Sequence, residues 1–154
     1  VLAEYVGGST TGFVKMMNDR AAELGCENTN FENSNGLDDT VTYHYSCAYD
    51  LALITREVMK HELVQKYTTI WLDSLRGGET ELNDTNKLVN SYSGITGLKT
   101  GTTSNAGFCV AATAQREEMH LAAIVLGSET SEQRFDTATY LLDWGFANYQ
   151  EYHL

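Results

Sequence analysis

The sequence predicts an α+β fold, an antiparallel sheet flanked by helices. Three observations carry that expectation. Apolar residues recur at helical spacing in the first third of the chain and again near its end. Two apolar runs, 108–115 and 120–127, face each other across the turn Arg116-Glu117-Glu118, which is a hairpin pattern. The order of helices, then strands, then a helix lacks the strand–helix alternation of a parallel sheet.

Taken in order, Val1-Leu2-Ala3-Glu4-Tyr5-Val6 is helix-compatible with no capping residue before it, and Gly7-Gly8 ends it. A chain that opens inside a helix is expected to be a fragment whose N-terminal portion lies elsewhere. Thr10 or Thr11 is the expected cap of a helix to about Leu24, with Phe13, Met17, Ala21 and Leu24 on one face and Gly25 closing it. Residues 26–45, rich in asparagine and carrying Asn35-Gly36 and Asp38-Asp39, predict a long irregular connection. Ser46 then caps a helix to about Lys60, whose stripe is Ala48, Leu51, Ala52, Thr55, Val58 and Met59. Asp50 stands near its start, where the helix dipole favours a carboxylate, and that role outweighs a catalytic one. From Lys66 to Leu72 the pattern reads as a strand, with Arg76-Gly77-Gly78 as the turn to a short second run. Residues 83–97 are polar. The hairpin follows, and Ser128 or Ser131 caps a last helix to about Tyr149 with Phe135, Ala138, Leu142 and Phe146 on its face.

Composition narrows the function. The 154 residues make one domain, not two. A net charge of −11 repels nucleic acid and anionic membrane, so neither is an expected partner. Cations are scarce against that background, which draws attention to Lys99 and Arg134. The three cysteines are an odd number without a Cys-x-x-Cys, so neither a disulfide framework nor a metal site is expected. Cys109, in an apolar run, reads as a small buried hydrophobe. His61-Glu62-Leu63-Val64-Gln65 fails as a zinc helix because Gln65 stands where the second histidine belongs. His44, His120 and His153 are scattered singly. No metal or cofactor is expected. No signal peptide and no apolar run of transmembrane length is present.

The stretch with chemistry is Gly97-Leu98-Lys99-Thr100-Gly101-Thr102-Thr103-Ser104. It sets one cation and four hydroxyls among glycines, which let a ligand approach the backbone. A phosphate loop needs glycine immediately before Lys-Thr, and Leu98 stands there. The other reading is the Lys-Thr-Gly element of serine penicillin-binding proteins and β-lactamases. The tripeptide alone is also what an ordinary strand with a surface lysine looks like.

The rest of the chain resembles the D-alanyl-D-alanine carboxypeptidases, the low-molecular-mass penicillin-binding proteins, over nearly its full length. The stretches come in order: Phe13-Val14-Lys15-Met16-Met17-Asn18; Asn28-Thr29-Asn30-Phe31 with Asn35-Gly36-Leu37; Tyr45-Ser46-Cys47-Ala48-Tyr49-Asp50-Leu51-Ala52; Asn86-Lys87-Leu88; the Lys-Thr-Gly run; Ala106-Gly107-Phe108-Cys109; and Leu141-Leu142-Asp143-Trp144-Gly145-Phe146. The resemblance implies the C-terminal portion, residues 1–154, of one β-lactamase/transpeptidase-like domain whose N-terminal strands are missing. It implies acyl transfer through a serine ester on peptidoglycan stem peptides, outside the cytoplasmic membrane of a bacterium, with β-lactams as inhibitors. Lys99, Thr100, Gly101 and Thr102 carry the implied site. Lys99 supplies charge and helps the proton relay, Thr100 and Thr102 bind the substrate carboxylate, and the Thr102 N–H is an oxyanion donor. Arg134 matches an arginine near the carboxylate, or is a surface arginine. No serine here has lysine three residues on, and none begins Ser-x-Asn. The fragment alone is therefore expected to be inactive. Its last strand, near 121–126, is expected to be a bare edge that pairs with another chain or with the missing part. A β-lactamase and a non-catalytic peptidoglycan-binding module are the alternatives.

Overall fold

A computed structural model describes residues 1–151. His153 lies outside them. Two helices open the chain, α1 (Leu2–Gly7) and α2 (Thr10–Glu23), with Gly8 turning between them at φ 70°. The cap of α2 is Ser9, not Thr10 or Thr11: it is extended, and its hydroxyl accepts the Gly12 N–H at 2.9 Å. Residues 26–46 form the expected irregular connection. Helix α3 (Ala48–Val58) starts one residue later than expected, because the Ser46 hydroxyl is turned to Thr29 at 2.8 Å and Cys47 is the cap residue.

Of the strand expected at 66–72, residues 66–68 instead close helix α4 (Glu62–Thr68), 69–71 are irregular, and only Leu72 opens a strand. Glu62, Leu63, Gln65 and Lys66 are good helix formers, and the helix ends where the β-branched run begins. There the Thr68 and Thr69 hydroxyls donate back to the Val64 and Gln65 carbonyls, each at 3.1 Å. His61 is the cap residue of this helix. The strand pattern belongs to a small exposed hairpin, β1 (Leu72–Leu75) and β2 (Thr80–Asn83), turned by Arg76–Gly78. The polar stretch after it holds one short helix, α5 (Leu88–Ser91).

The main sheet is antiparallel in the order β3-β4-β5, from β3 (Ile95–Thr103), β4 (Gly107–Arg116) and β5 (Met119–Ser128). Helix α6 (Ser131–Asn148) ends the described fold. Its cap is Thr130, whose hydroxyl accepts the Gln133 N–H at 3.1 Å, in place of Ser128 or Ser131.

The core lies between α6 and one face of the sheet. Val110, Ala112 and Ala114 of β4 and Ala123 and Val125 of β5 are buried against Phe135, Ala138 and Leu142, with Leu88 beside them. Alternation along β4 brings those residues to one face. Gly145 of α6 lets the helix come close to β5: a Cβ there would meet a Leu121 methyl at 2.7 Å. Helices α3 and α4 cover part of the opposite face. There Gly97, buried at φ 139°, leaves room for Thr68, whose hydroxyl bonds the Thr96 carbonyl at 2.7 Å. β3 and β5 are the two open edges of this sheet.

Candidate active site

The register of the sheet sorts the residues of the Lys-Thr-Gly strand. Lys99 stands opposite Ala111, Thr100 opposite Val110, Gly101 opposite Cys109 and Thr102 opposite Phe108. Since Val110 faces α6, Thr100 and Thr102 belong to the α6 side, and Lys99 and Gly101 to the other face. All four line one open cleft of about 1040 Å³ that extends from the Lys-Thr-Gly strand across β4 to β5. Its further walls come from Thr85, from 33–37 and 44–46 of the long connection, and from Cys109, Leu126 and Arg134.

Lys99 is exposed, and its Nζ donates to the Thr100 carbonyl. Thr100 is buried, and its hydroxyl is hydrogen-bonded to the Thr85 hydroxyl at 2.5 Å, where either can donate. Thr102 is exposed, and its Oγ1 accepts from an Arg134 guanidinium nitrogen at 3.2 Å. That leaves the Thr102 proton free to donate to a ligand oxygen. Gly101 has open space where a Cβ would stand, so no protein contact requires glycine there. A side chain at 101 would project into the cleft.

Arg134 is not a surface residue: 6% of it is exposed. The nitrogen that reaches Thr102 also donates to the Gly101 carbonyl at 3.2 Å and the Cys109 carbonyl at 3.1 Å. The other terminal nitrogen donates to the Ser131 hydroxyl at 3.2 Å. The guanidinium carbon lies 4.6 Å from the Phe135 ring centre and 5.5 Å from that of Phe108. Burial pulls its pKa down from the usual arginine value, which an arginine tolerates without losing its charge. Arg134 therefore ties α6 to both β3 and β4 and sets a fixed positive field behind Thr102.

Cys109 corrects the sequence expectation. It is partly exposed on the cleft side, because its cross-strand neighbour is Gly101 and has no side chain to cover the sulfur. The deeply buried cysteine is Cys26, at 8% exposure, whose thiol is pushed up by burial.

The wall formed by the long connection is pinned at its base by Asp50. That carboxylate is 1% exposed and accepts the Asn28 N–H at 2.7 Å and the Thr29 hydroxyl at 2.8 Å. Burial pushes its pKa up, but these bonds outweigh it and hold it below the usual carboxylate range. Asp50 thus does more than answer a helix dipole; it fixes the loop that faces the Lys-Thr-Gly strand. Sequence reading could not reach Thr85 or Asp50 in these roles, because their partners are distant in the chain.

A second hollow of about 430 Å³ lies between α3 and the sheet, lined by Leu53, Met59, Thr113 and Leu121 among others. It shares none of the Lys-Thr-Gly residues. Among the described residues no group of three or more His, Cys, Asp or Glu side chains is placed to hold a metal.

The sequence profile of a family described as D-alanyl-D-alanine carboxypeptidase matches residues 1–130. The chain is 40% identical over 156 aligned residues to D-alanyl-D-alanine carboxypeptidase DacF of Bacillus subtilis, covering 99% of this chain and 40% of that protein. It is 35% identical to DacC of Escherichia coli, covering 94% of this chain and 36% of that one. The chain therefore spans about two fifths of the length of these curated relatives. Among solved structures, penicillin-binding protein D2 of Listeria monocytogenes in its cefotaxime-bound form superposes with a TM-score of 0.82 at 35% identity, covering 94% of this chain and 60% of that one. Penicillin-binding protein 6B of Escherichia coli gives a TM-score of 0.85 at 34% identity, covering 96% and 46%.

Proposed function

This chain belongs to the D-alanyl-D-alanine carboxypeptidase family, and on that premise we propose that its cleft is the substrate-holding half of a serine acyl-transfer site acting on the D-alanyl-D-alanine end of peptidoglycan stem peptides. The observation that supports this most is the arrangement along one strand edge. A flexible cation, Lys99, lies on one face, a side-chain-free step, Gly101, comes next, and a hydroxyl backed by a buried guanidinium, Thr102 with Arg134, follows. A peptide laid along the open β3 edge would pair with its backbone. Its terminal carboxylate would accept a hydrogen bond from the Thr102 hydroxyl in the field of Arg134. Thr100 would join by exchanging its Thr85 partner for the ligand.

Lys99 would stabilise negative charge at the reacting centre and help return a proton to the leaving D-alanine. The Thr102 N–H would be one of two oxyanion donors. No serine of this sequence stands three residues before a lysine, so the nucleophile and its base are assigned to a segment outside these 154 residues. The serine attacks the carbonyl between the two D-alanines, the terminal D-alanine leaves as the amine, and water hydrolyses the ester. A substrate of this kind places the reaction in the cell envelope. No helix among the described residues is long and apolar enough to cross a membrane.

The same reading assigns β-lactams to the cleft as substrate mimics and assigns the open edge of β5 to pairing with a further strand, from the remainder of the domain or from a second copy. In size-exclusion chromatography these 154 residues should elute as an associated species; a stable monomer would count against that pairing. Alone, they should show no mass increase on incubation with penicillin, and a covalent adduct would overturn the assignment of the nucleophile. In a protein that joins this sequence to a Ser-x-x-Lys segment, fluorescent penicillin should label the serine. There Lys99→Ala should slow labelling by about 10²–10⁴-fold. An unlabelled parent would leave a non-catalytic peptidoglycan-binding module.

A further inference from the structure

The connection between α2 and α3 has two parts of different construction. Its neck is bonded on every side. Asn30 and Tyr45 exchange backbone bonds of 2.9 and 3.0 Å, and Asn18 bonds both the N–H and the carbonyl of Phe31 at 2.8 Å. The Glu32 carboxylate accepts the Thr42 and Tyr43 N–H groups, each at 2.7 Å. The head, 33–41, is bonded mainly to itself, through the Asn33 side chain to Gly36 and Leu37 and the Asn35 side chain to Leu37. Its bond to the sheet comes from Asp38, whose carboxylate accepts the Asn105 N–H at 3.3 Å in the turn between β3 and β4. Thr103 adds to this. Its oxygen accepts the Ala106 N–H at 3.0 Å, leaving its proton for the neighbouring carboxylate. The Thr103 hydroxyl and the Asn105 backbone together hold the Asp38 carboxyl below the usual carboxylate range.

The head matters because of where it is tied. Residues 33–37 line the cleft opposite 99–103, with half-exposed Leu37 as an apolar lip. The tie is at the turn just beyond Thr103, so the head stands across the end of the cleft that follows Thr102 and Arg134. Between head and turn remains a hollow of about 350 Å³, which the tie spans.

We propose that Asp38 is a positioning residue that latches this head to the β3–β4 turn and so makes the cleft a dead end, admitting a peptide that terminates in a carboxylate at Thr102 and rejecting one that continues. This rests on the substrate reading above. The latch excludes longer chains by closing the strand edge that an internal peptide bond would need to run past.

Two measurements on this chain test it. Hydrogen exchange of the 33–41 amides should quicken by about tenfold or more in Asp38→Ala, the loss expected for a bond to a charged group, while the neck and β4 stay protected. Asp38→Glu should restore part of that protection. Calorimetric titration with acetylated D-alanyl-D-alanine, and with the same peptide extended by one residue, should show the wild type preferring the shorter ligand and Asp38→Ala losing the preference. Unchanged exchange in Asp38→Ala overturns the latch. Unchanged preference with quickened exchange overturns its role in selection. Asp38→Asn separates bond from charge: lost preference with an intact head would assign selection to charge and refute the latch. If the wild type binds neither peptide, the substrate reading fails and selection with it, while exchange still decides the latch.

Discussion

The two faces of the main sheet are built for opposite ends. Toward α6 the strands present Val110, Ala112, Ala114, Ala123 and Val125, all buried in one core. The other face carries Lys99, Gly101, Cys109 and Thr113 and is only partly covered, with a cavity under α3 and most of the open cleft, to which Thr100 and Thr102 are added from the α6 side. Stability resides on the first face, so the second is free to carry polar groups and empty space. The join between them is Arg134, which belongs to the packed helix and reaches through to the cleft strand.

The comparison breaks if the faces respond alike to substitution. The largest effect is expected at Leu142, 1% exposed in the packed face, where Leu142→Ala should cost about 2–5 kcal/mol in denaturant unfolding. Next is Arg134→Ala. It leaves the Gly101 and Cys109 carbonyls without this donor, so about 1–3 kcal/mol should be lost, together with any ligand binding at Thr102. On the open face, Lys99→Ala should change stability by less than about 0.5 kcal/mol, although it slows labelling in the joined protein. A stability loss there as large as that of Leu142→Ala would erase the distinction.

Acid sharpens the same contrast. The folded-state pKa of Asp50 is lowered, so its contribution is present above the unfolded value and fades as pH falls through the folded one. Amides 28–30 should lose exchange protection in that acid range before those of β4, and Asp50→Asn should remove the pH dependence. The smallest effect concerns Tyr92, at the far end of α6. Its hydroxyl donates to Asp143 at 2.7 Å and accepts from Arg116 at 2.9 Å. Burial first, then Asp143, pushes its pKa up to about 12, so one tyrosine should ionise later than the rest in a spectroscopic titration.

What the sequence disclosed follows the range of the forces involved. Phe135, Ala138, Leu142 and Phe146 recur at helical spacing, so α6 and its buried side could be read directly. The hairpin of β4 and β5 was visible in two apolar runs and a charged turn. Helix α4 was not, because the β-branched and aromatic run that overlaps its end, from Tyr67 to Leu72, masks a short helix made mostly of the residues before it. The site was half legible. Lys99, Gly101 and Thr102 are contiguous and chemically distinctive, whereas Arg134 meets Gly101 across 33 positions and Asp38 meets Asn105 across 67. Contacts of that span leave no local pattern. The exposure of Cys109 depends on strand register alone, since what uncovers it is the glycine opposite.

Under the proposed function the substrate lies along the Lys-Thr-Gly strand, and not in the smaller apolar hollow under α3. Amide NMR shifts during titration with D-alanyl-D-alanine test it directly. The expected result is a set of shifts centred on 99–103 and Arg134 that disappears in Thr102→Val. Shifts confined to Leu53, Met59 and Leu121, or a pattern unaffected by Thr102→Val, would contradict it.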